Sequence, residues 1–346
     1  MVKGSIVYAV FAALLFGAAT PASKALLSGL TSFQLAGLLY LGAAIGVAPV
    51  LLKRRRVRLP ETSDRRNWLA LLGAISAGGI CGPVLLLFAL RSADAASVSL
   101  WLNFELAATA LLGVIIFRDN LNLPGWAGVV CTFSGAVVLS FGGGSSGFAA
   151  GALVLAACVF WGLDNHLSAL IDAITPAEST FWKGLVAGGV NSAIGFAMET
   201  QIPSIPLIAA ALAVGAFAYG ASIALYITSA HALGCTRAQI AFSSAPFFGV
   251  LLSALLLDEK LTGGHIGAGL LFVAAVGLLI LERHSHIHEH GAMEHEHIHT
   301  HGDFHHVHDH IELPHPPLHA HRHAHVAEVH DHSHTPDLHH RHEHKS

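Results

Sequence analysis

Residues 99–126 read SLWLNFELAATALLGVIIFRDNLNLPGW, and residues 238–265 read AQIAFSSAPFFGVLLSALLLDEKLTGGH. Laid one over the other at a constant offset, each is an apolar stretch of helical length that ends in an acidic turn and restarts at glycine. Asp119-Asn120 falls on Asp258-Glu259, Leu121 on Lys260 and Gly125 on Gly264. The match continues through Gly128 with Gly267 and Leu139 with Leu278, and upstream Phe16-Gly17 corresponds to Trp161-Gly162. The chain therefore reads as a duplicated unit of apolar helices.

Composition agrees. Apolar types make up 53% of the 346 residues and charged types only 12%, about half the charged share of a soluble globular protein. A bilayer-crossing helix needs about 20 mainly apolar residues. Candidate spans run 4–23, 33–52, 68–90, 95–117, 124–141, 148–170, 177–198, 206–230, 235–257 and 263–282. The breaks between them have chemical causes: Pro60 amid charges, Asp119-Asn120, the Gly142–Gly147 run, Pro203 with Pro206, and Asp258-Glu259-Lys260. Each repeat holds five spans, an odd number, so the two halves enter the membrane from opposite sides. The expected fold is an all-α membrane protein of ten transmembrane helices arranged as two inverted five-helix repeats, a transporter architecture. The repeats are expected at 1–141 and 148–283, followed by a tail at 284–346.

Basic residues orient the bundle. Lys53, Arg54, Arg55, Arg56, Arg58, Arg65 and Arg66 crowd the second loop. That places the loop, and with an even span count both termini, in the cytoplasm of a multi-pass inner-membrane protein. The N-terminal run reads as a retained first span and not a signal peptide. Cys81, Cys131, Cys158 and Cys235 share no CxxC spacing and read as small helix-packing residues. Nucleic acid is excluded as a partner by the lack of a basic face. No nucleotide loop, nucleophile elbow or metalloprotease helix is present. The expectation is thus no enzyme and no required cofactor, with transport driven by a gradient. A homodimer is compatible with these features.

A charge in the bilayer centre costs roughly 3 kcal/mol, so intramembrane polar residues are candidates for function. Glu105, with Asn103 before it, lies in the fourth span. Asp164 and His166 lie in the sixth, and Lys183 begins the seventh. Glu105 suits either an amine partner or a proton-carrying carboxylate; its bland alternative is a salt bridge to Lys183 or Lys24. Asp164 and His166 point about 200° apart on a helix and form no bidentate metal site. Trp161 is deep enough to line a cavity, whereas Trp101 and Trp182 suit interfacial anchoring. Lys24 sits near the outer mouth. Gly17, Gly113, Gly128 and Gly162 suit close helix packing.

These features resemble the drug/metabolite transporter superfamily, specifically its EamA type. The resemblance rests on Leu15-Phe16-Gly17 with Lys24 after it, on Ala241–Lys260 (AFSSAPFFGVLLSALLLDEK), and on Gly264–Leu271 (GHIGAGLL). Pro246, Glu259 and Gly267 occupy the places of the type's ninth-span proline, acidic turn and glycine-rich tenth span; the first half has Ala107 at the proline position. Trp101-Leu102-Asn103-Phe104-Glu105 resembles an "LNLE" subgroup whose members carry His-rich tails, and Pro336–His342 resembles their ending. The resemblance implies two five-helix repeats and a small organic substrate crossing the lipid bilayer. Related members carry amino acids, amines, nucleotide precursors or toxic organics.

The tail holds 24 of the 27 histidines, many in His-x-His rows: His284, His286, His288 and His290; His295, His297, His299 and His301; His319, His321, His323 and His325; His330, His332 and His334. Alternate residues of an extended chain share a face, and imidazoles are ligands for Zn, Ni or Co. Apolar residues are too sparse for a core, so the tail is expected to be disordered without metal. Divalent metal ions are thus candidate partners. The competing function is a metal-handling membrane protein, a Ni/Co/Zn transporter or a membrane-anchored store. Against it, the body offers only His166, His231 and His265.

Overall fold

A computed structural model describes residues 2–54, 57–117, 123–142, 144–199, 202–233, 238 and 241–280, and in the tail 284–290, 293–299, 319–325 and 328–334. Seven helices among them are long and apolar enough to cross a membrane: Ile6–Leu26, Ser32–Lys53, Arg65–Ser92, Ala95–Ile116, Leu123–Phe141, Gly147–Ala169 and Ile205–Ser229. Ala245–Leu256 and Gly263–Leu278 are shorter apolar helices. Pro176–Met198 has the length but is diluted by Glu178, Lys183 and several small residues.

Several of these helices are assembled from pieces. The first joins α1 (Val2–Gly17) to α2 (Ala19–Leu26) and is followed by α3 (Ser32–Arg54). The next comprises α4 (Arg65–Ala74), a π-helical turn (Ile75–Cys81) and α5 (Gly82–Ser92). After α6 (Ala95–Trp101) the helix breaks at Leu102-Asn103 and resumes as α7 (Phe104–Phe117). Then come α8 (Leu123–Gly142), α9 (Gly144–Ala169) and α10 (Pro176–Met198). A second π turn, Gly215–Ala221, separates α11 (Ile205–Val214) from α12 (Ser222–Leu233). Helical residues 241–242 and a turn at Ser243-Ser244 precede α13 (Ala245–Leu256), and α14 (Gly263–Ile280) ends the body. The spans at 95–117 and 235–257, read from sequence as continuous, are therefore each interrupted, and among the described residues each half has one π turn and one such break.

Small residues set the packing. Without a hydrophobic drive between helices in lipid, close backbone approach and interhelical hydrogen bonds hold a bundle together. On α10 the buried residues Gly184, Ala187, Gly188, Asn191 and Gly195 make a stripe at helical spacing, and the stripe lies against α3. A Cβ at Gly184 would sit 2.6 Å from the Tyr40 carbonyl oxygen, and one at Gly188 2.6 Å from the Leu41 nitrogen. Any side chain there would push the two helices apart. The exposed apolar residues, such as Ile115, Leu123 and Val130, suit a lipid-facing rim.

Short polar clusters tie the bundle's two ends. At one end Lys24 Nζ donates to the carbonyls of Leu90 (2.5 Å) and Ala93 (2.8 Å), capping the end of α5. Arg91 reaches Ser32 Oγ and the Leu30 carbonyl. Glu259 accepts from the backbone N–H groups of Ala95 and Ala96, both at 2.8 Å, at the start of α6. Asp94 accepts from Ser97 N at 2.7 Å and lies 3.2 Å from His265 Nε2. Burial works to raise the Asp94 carboxyl, but hydrogen bonds from His265 and Ser97 outweigh it and hold it at about 2. At the other end a Thr175–Glu178 capping box starts α10, and Glu178 also accepts from Arg58 N at 2.8 Å. There Asn67 bonds Asp64 and Asp172.

Four short segments of the tail are extended. β1 (His284–His290) pairs antiparallel with β4 (Glu328–His334), and β2 (Met293–His299) with β3 (His319–His325). The His-x-His period of two is a strand period, which accounts for the extended backbone. Two-stranded ladders without an apolar face are marginal in water, so these pairs give the tail no folded domain of its own.

Candidate functional site in the membrane body

The two helix breaks meet. Leu102, Asn103, Glu105 and Leu106 from the first, and Phe242, Ser243, Ala245 and Pro246 from the second, line a narrow cavity of about 20 Å³; Phe16, Gly17 and Thr20 of α1 and α2 close its third side. Gly17 permits this closeness: a Cβ there would lie 2.5 Å from the Ala245 carbonyl oxygen. The backbone closes locally at both breaks, with Asn103 N donating to the Leu100 carbonyl at 3.1 Å and Ser244 N to the Ala241 carbonyl at 3.4 Å, so irregular backbone at this depth keeps its bonds.

Glu105 sits in the first turn of α7, where the helix dipole favours a negative charge. Asn165 of α9 donates to Glu105 Oε1 at 2.9 Å and to Thr109 Oγ1 at 3.3 Å. Asn103 is 5% exposed. Its NH₂ group donates to the Leu100 carbonyl at 2.9 Å, while its Oδ1 has no donor among the described residues. An unsatisfied buried acceptor costs about 1–3 kcal/mol. Beside the cavity Phe16 packs on Phe242 (ring centroids 5.3 Å apart), Tyr219 (5.6 Å) and Trp161 (6.4 Å).

The other sequence candidates lie apart from this cavity. Lys183 Nζ is bonded to both oxygens of Asp164, at 2.5 and 2.8 Å, and to Ser168 Oγ at 3.2 Å. Both members of the pair are buried, at 4% and 9% exposure. Trp161 donates to the Gly78 carbonyl at 3.1 Å, as does the Tyr40 hydroxyl at 2.5 Å. That carbonyl lies within the first π turn. His166 Nε2 donates to the Thr109 carbonyl at 2.9 Å. Lys24 is at the bundle end, on the α5 carbonyls. Neither lysine is therefore placed as the partner of Glu105.

Asn165, Thr20, Ser243 and the Phe16–Phe242 pair were not singled out from sequence. Asn165 carried a signal, since Asp164-Asn165-His166 is a polar triplet in an apolar span. Among the described residues no group of three or more His, Cys, Asp or Glu could hold a metal. The side chains of the tail's candidate ligands lie outside the described residues, and His301 does so entirely. Cys81, Cys131 and Cys158 are free; Cys235 lies outside the described residues.

Comparison with known proteins agrees with a transport body. An uncharacterized transporter of Methanothermobacter thermautotrophicus is 27% identical over 231 residues, 62% of this chain and 65% of that protein, so the match spans just under two thirds of the relative's length. The spermidine export protein MdtI of Yersinia pestis is 33% identical over 94 residues, 27% of this chain and 79% of its own. A solved crystal structure superposes with a TM-score of 0.62 at 18% identity, covering 81% of this chain and 98% of that one, a likeness of fold alone. The EamA-like transporter family matches twice, over residues 3–141 and again over 149–281, as duplicated halves would. The chain is a multi-pass integral membrane protein that belongs to the EamA-like transporter family, within the drug/metabolite transporter superfamily, and this is a family of transporters and not of enzymes.

Proposed function

We propose that the protein is a gradient-driven secondary transporter that moves a small organic solute across the cytoplasmic membrane. In this reading the body crosses the bilayer ten times as two inverted five-helix repeats, with both termini cytoplasmic. One observation carries the proposal: a broken helix from each family-matched half converges on one cavity, and that cavity holds an ionisable residue. Sites at a repeat interface built from discontinuous helices are what alternating access requires, because each half can rock against the other around a fixed solute. Glu105, Asn103, Thr20 and Ser243 are the polar contacts in this scheme. Trp161, Asn165 and His166 buttress them from α9, and the Asp164–Lys183 pair anchors α9 to α10. The contact of Glu259 with Ala95 and Ala96 joins the halves at the outer end.

Flux measurements in proteoliposomes test this. With an imposed proton or sodium gradient and no ATP, a small organic solute should accumulate above its equilibrium distribution, and an ionophore should abolish the effect. Movement only with ATP, or of no organic solute over a broad panel, contradicts it.

The tail is proposed as an accessory metal-binding segment. Ligands are plentiful but unframed, so each ion must order its own stretch of chain, which offsets part of the bond energy. Isothermal titration of the full chain with Zn²⁺ or Ni²⁺ should show several ions of modest affinity at pH 7.5. Binding should weaken strongly by pH 5, where protons compete for imidazole nitrogen. Removal of 284–346 should leave the body folded, because its helices satisfy their own backbone groups in lipid. Binding that survives tail deletion, or that is unchanged at pH 5, refutes this role.

A further inference from the structure

We propose that the tail holds divalent metal ions between its strands, each ion bridging a histidine of one strand and the histidine opposite it on the partner strand. The inference rests on the metal-binding reading of the tail and extends it from a stock of ligands to a defined set of sites. Backbone register carries it. In the β1·β4 ladder His284 is opposite His334, His286 opposite His332 and His288 opposite His330. In the β2·β3 ladder His295 is opposite His323, His297 opposite His321 and His299 opposite His319. Strand residues alternate between faces, so the three histidine rows of each ladder share one face. The alternate positions, such as Ser285 with Ser333 and Ile298 with Ala320, carry no histidine.

Spacing decides which histidines share an ion. Directly opposed residues have Cβ atoms about 4.5–5.5 Å apart, whereas positions two apart on one strand are separated by about 7 Å. Within each ladder the opposed pair is therefore the closest set of histidine positions that the backbone offers. Two imidazoles per ion leave coordination positions for water or for a neighbouring row. Energetics point the same way. A two-stranded ladder of this composition is marginal in water, and an ion that bridges its strands links metal binding to closure of the ladder. A slip of one residue would set histidines opposite the other face and break every row at once.

The test compares two double variants of the full chain that lose the same number of histidines from one ladder. His284→Ala/His334→Ala removes one opposed row and leaves two intact. His284→Ala/His330→Ala breaks two rows and leaves one. At a free Zn²⁺ concentration that half-saturates the native tail at pH 7.5, the offset variant should lose about twice as much bound Zn²⁺ from this ladder as the opposed variant. Nitroxide labels at Ser285→Cys and Ser333→Cys, in a chain whose native cysteines are replaced, should gain dipolar coupling on addition of Zn²⁺. Equal Zn²⁺ loss in the two double variants, or labels that stay uncoupled at saturating Zn²⁺, would overturn the inference and leave the tail's metal binding standing. No Zn²⁺ bound by the native chain, or binding that survives removal of 284–346, would overturn the metal-binding reading as well.

Discussion

Glu105→Gln is expected to reduce gradient-driven transport at low solute concentration by about tenfold, with little change in thermal stability. Glutamine preserves the shape and still offers Asn165 an acceptor at the position of Oε1, so the α7–α9 contact survives. What is lost is the charge. Hydrogen bonds to charged groups contribute about 1.5–3 kcal/mol against about 1 for neutral ones, and a difference of 1.4 kcal/mol is tenfold in affinity. Removal of a titratable carboxylate also removes a site where a coupling proton could compete with the solute. Initial-rate flux measured beside a melting curve checks both halves of the expectation. Native flux in Glu105→Gln would remove this residue from the mechanism, and a collapse in melting temperature would make its role structural.

Lys183→Met should produce the largest loss of stability of any single substitution considered, about 3–5 kcal/mol. The substitution strands the Asp164 carboxylate in a buried position, with Ser168 as its remaining hydrogen-bond donor among the described residues. The space around it is closed, because Gly78 lies against the carboxylate. Asp164→Leu should fail in the complementary way by leaving a buried ammonium. The double variant Asp164→Leu/Lys183→Met should recover most of the loss, since a buried ion pair can often be exchanged for apolar residues of similar volume at little net change. Melting of the four proteins in one detergent, followed by size exclusion, measures this. A double variant no more stable than the worse single would show that the pair does more than neutralise itself, and would make it part of the transport machinery.

Sequence made the body legible where the physics is one-dimensional. Apolar length marks helices, and charges, prolines and glycine runs mark the gaps, so most helix positions follow from the chain. Glu105 was legible as a candidate, because a carboxylate amid Phe, Leu and Ala calls for either a functional role or a structural partner. The breaks at Leu102-Asn103 and Ser243-Ser244 were not. Neither is formed by proline or glycine, and Pro246 lies beyond the second turn, inside the first turn of α13. Both turns close on their own segment, Asn103 on the Leu100 carbonyl and Ser244 on the Ala241 carbonyl, and apolar patterning does not signal such local bonds. The π turns at Ile75–Cys81 and Gly215–Ala221 were hidden for a similar reason. One extra residue per turn leaves no compositional mark, and the carbonyl it frees at Gly78 is satisfied by Tyr40 and Trp161 from two other helices. Partner choice among the charges was also beyond sequence. Lys183 could face Glu105 or Asp164, and only the placement of α10 against α9 decides it.

The central claim is that the solute sits between the two broken helices, held by Glu105 and Asn103. The most direct measurement is a structure of the full chain in lipid with a transported solute bound. The account predicts a polar group of the solute within hydrogen-bonding distance of Glu105 or Asn103 Oδ1, with the rest of the solute against Phe16 and Phe242. A solute bound outside this cavity, or Glu105 turned towards lipid, would contradict it.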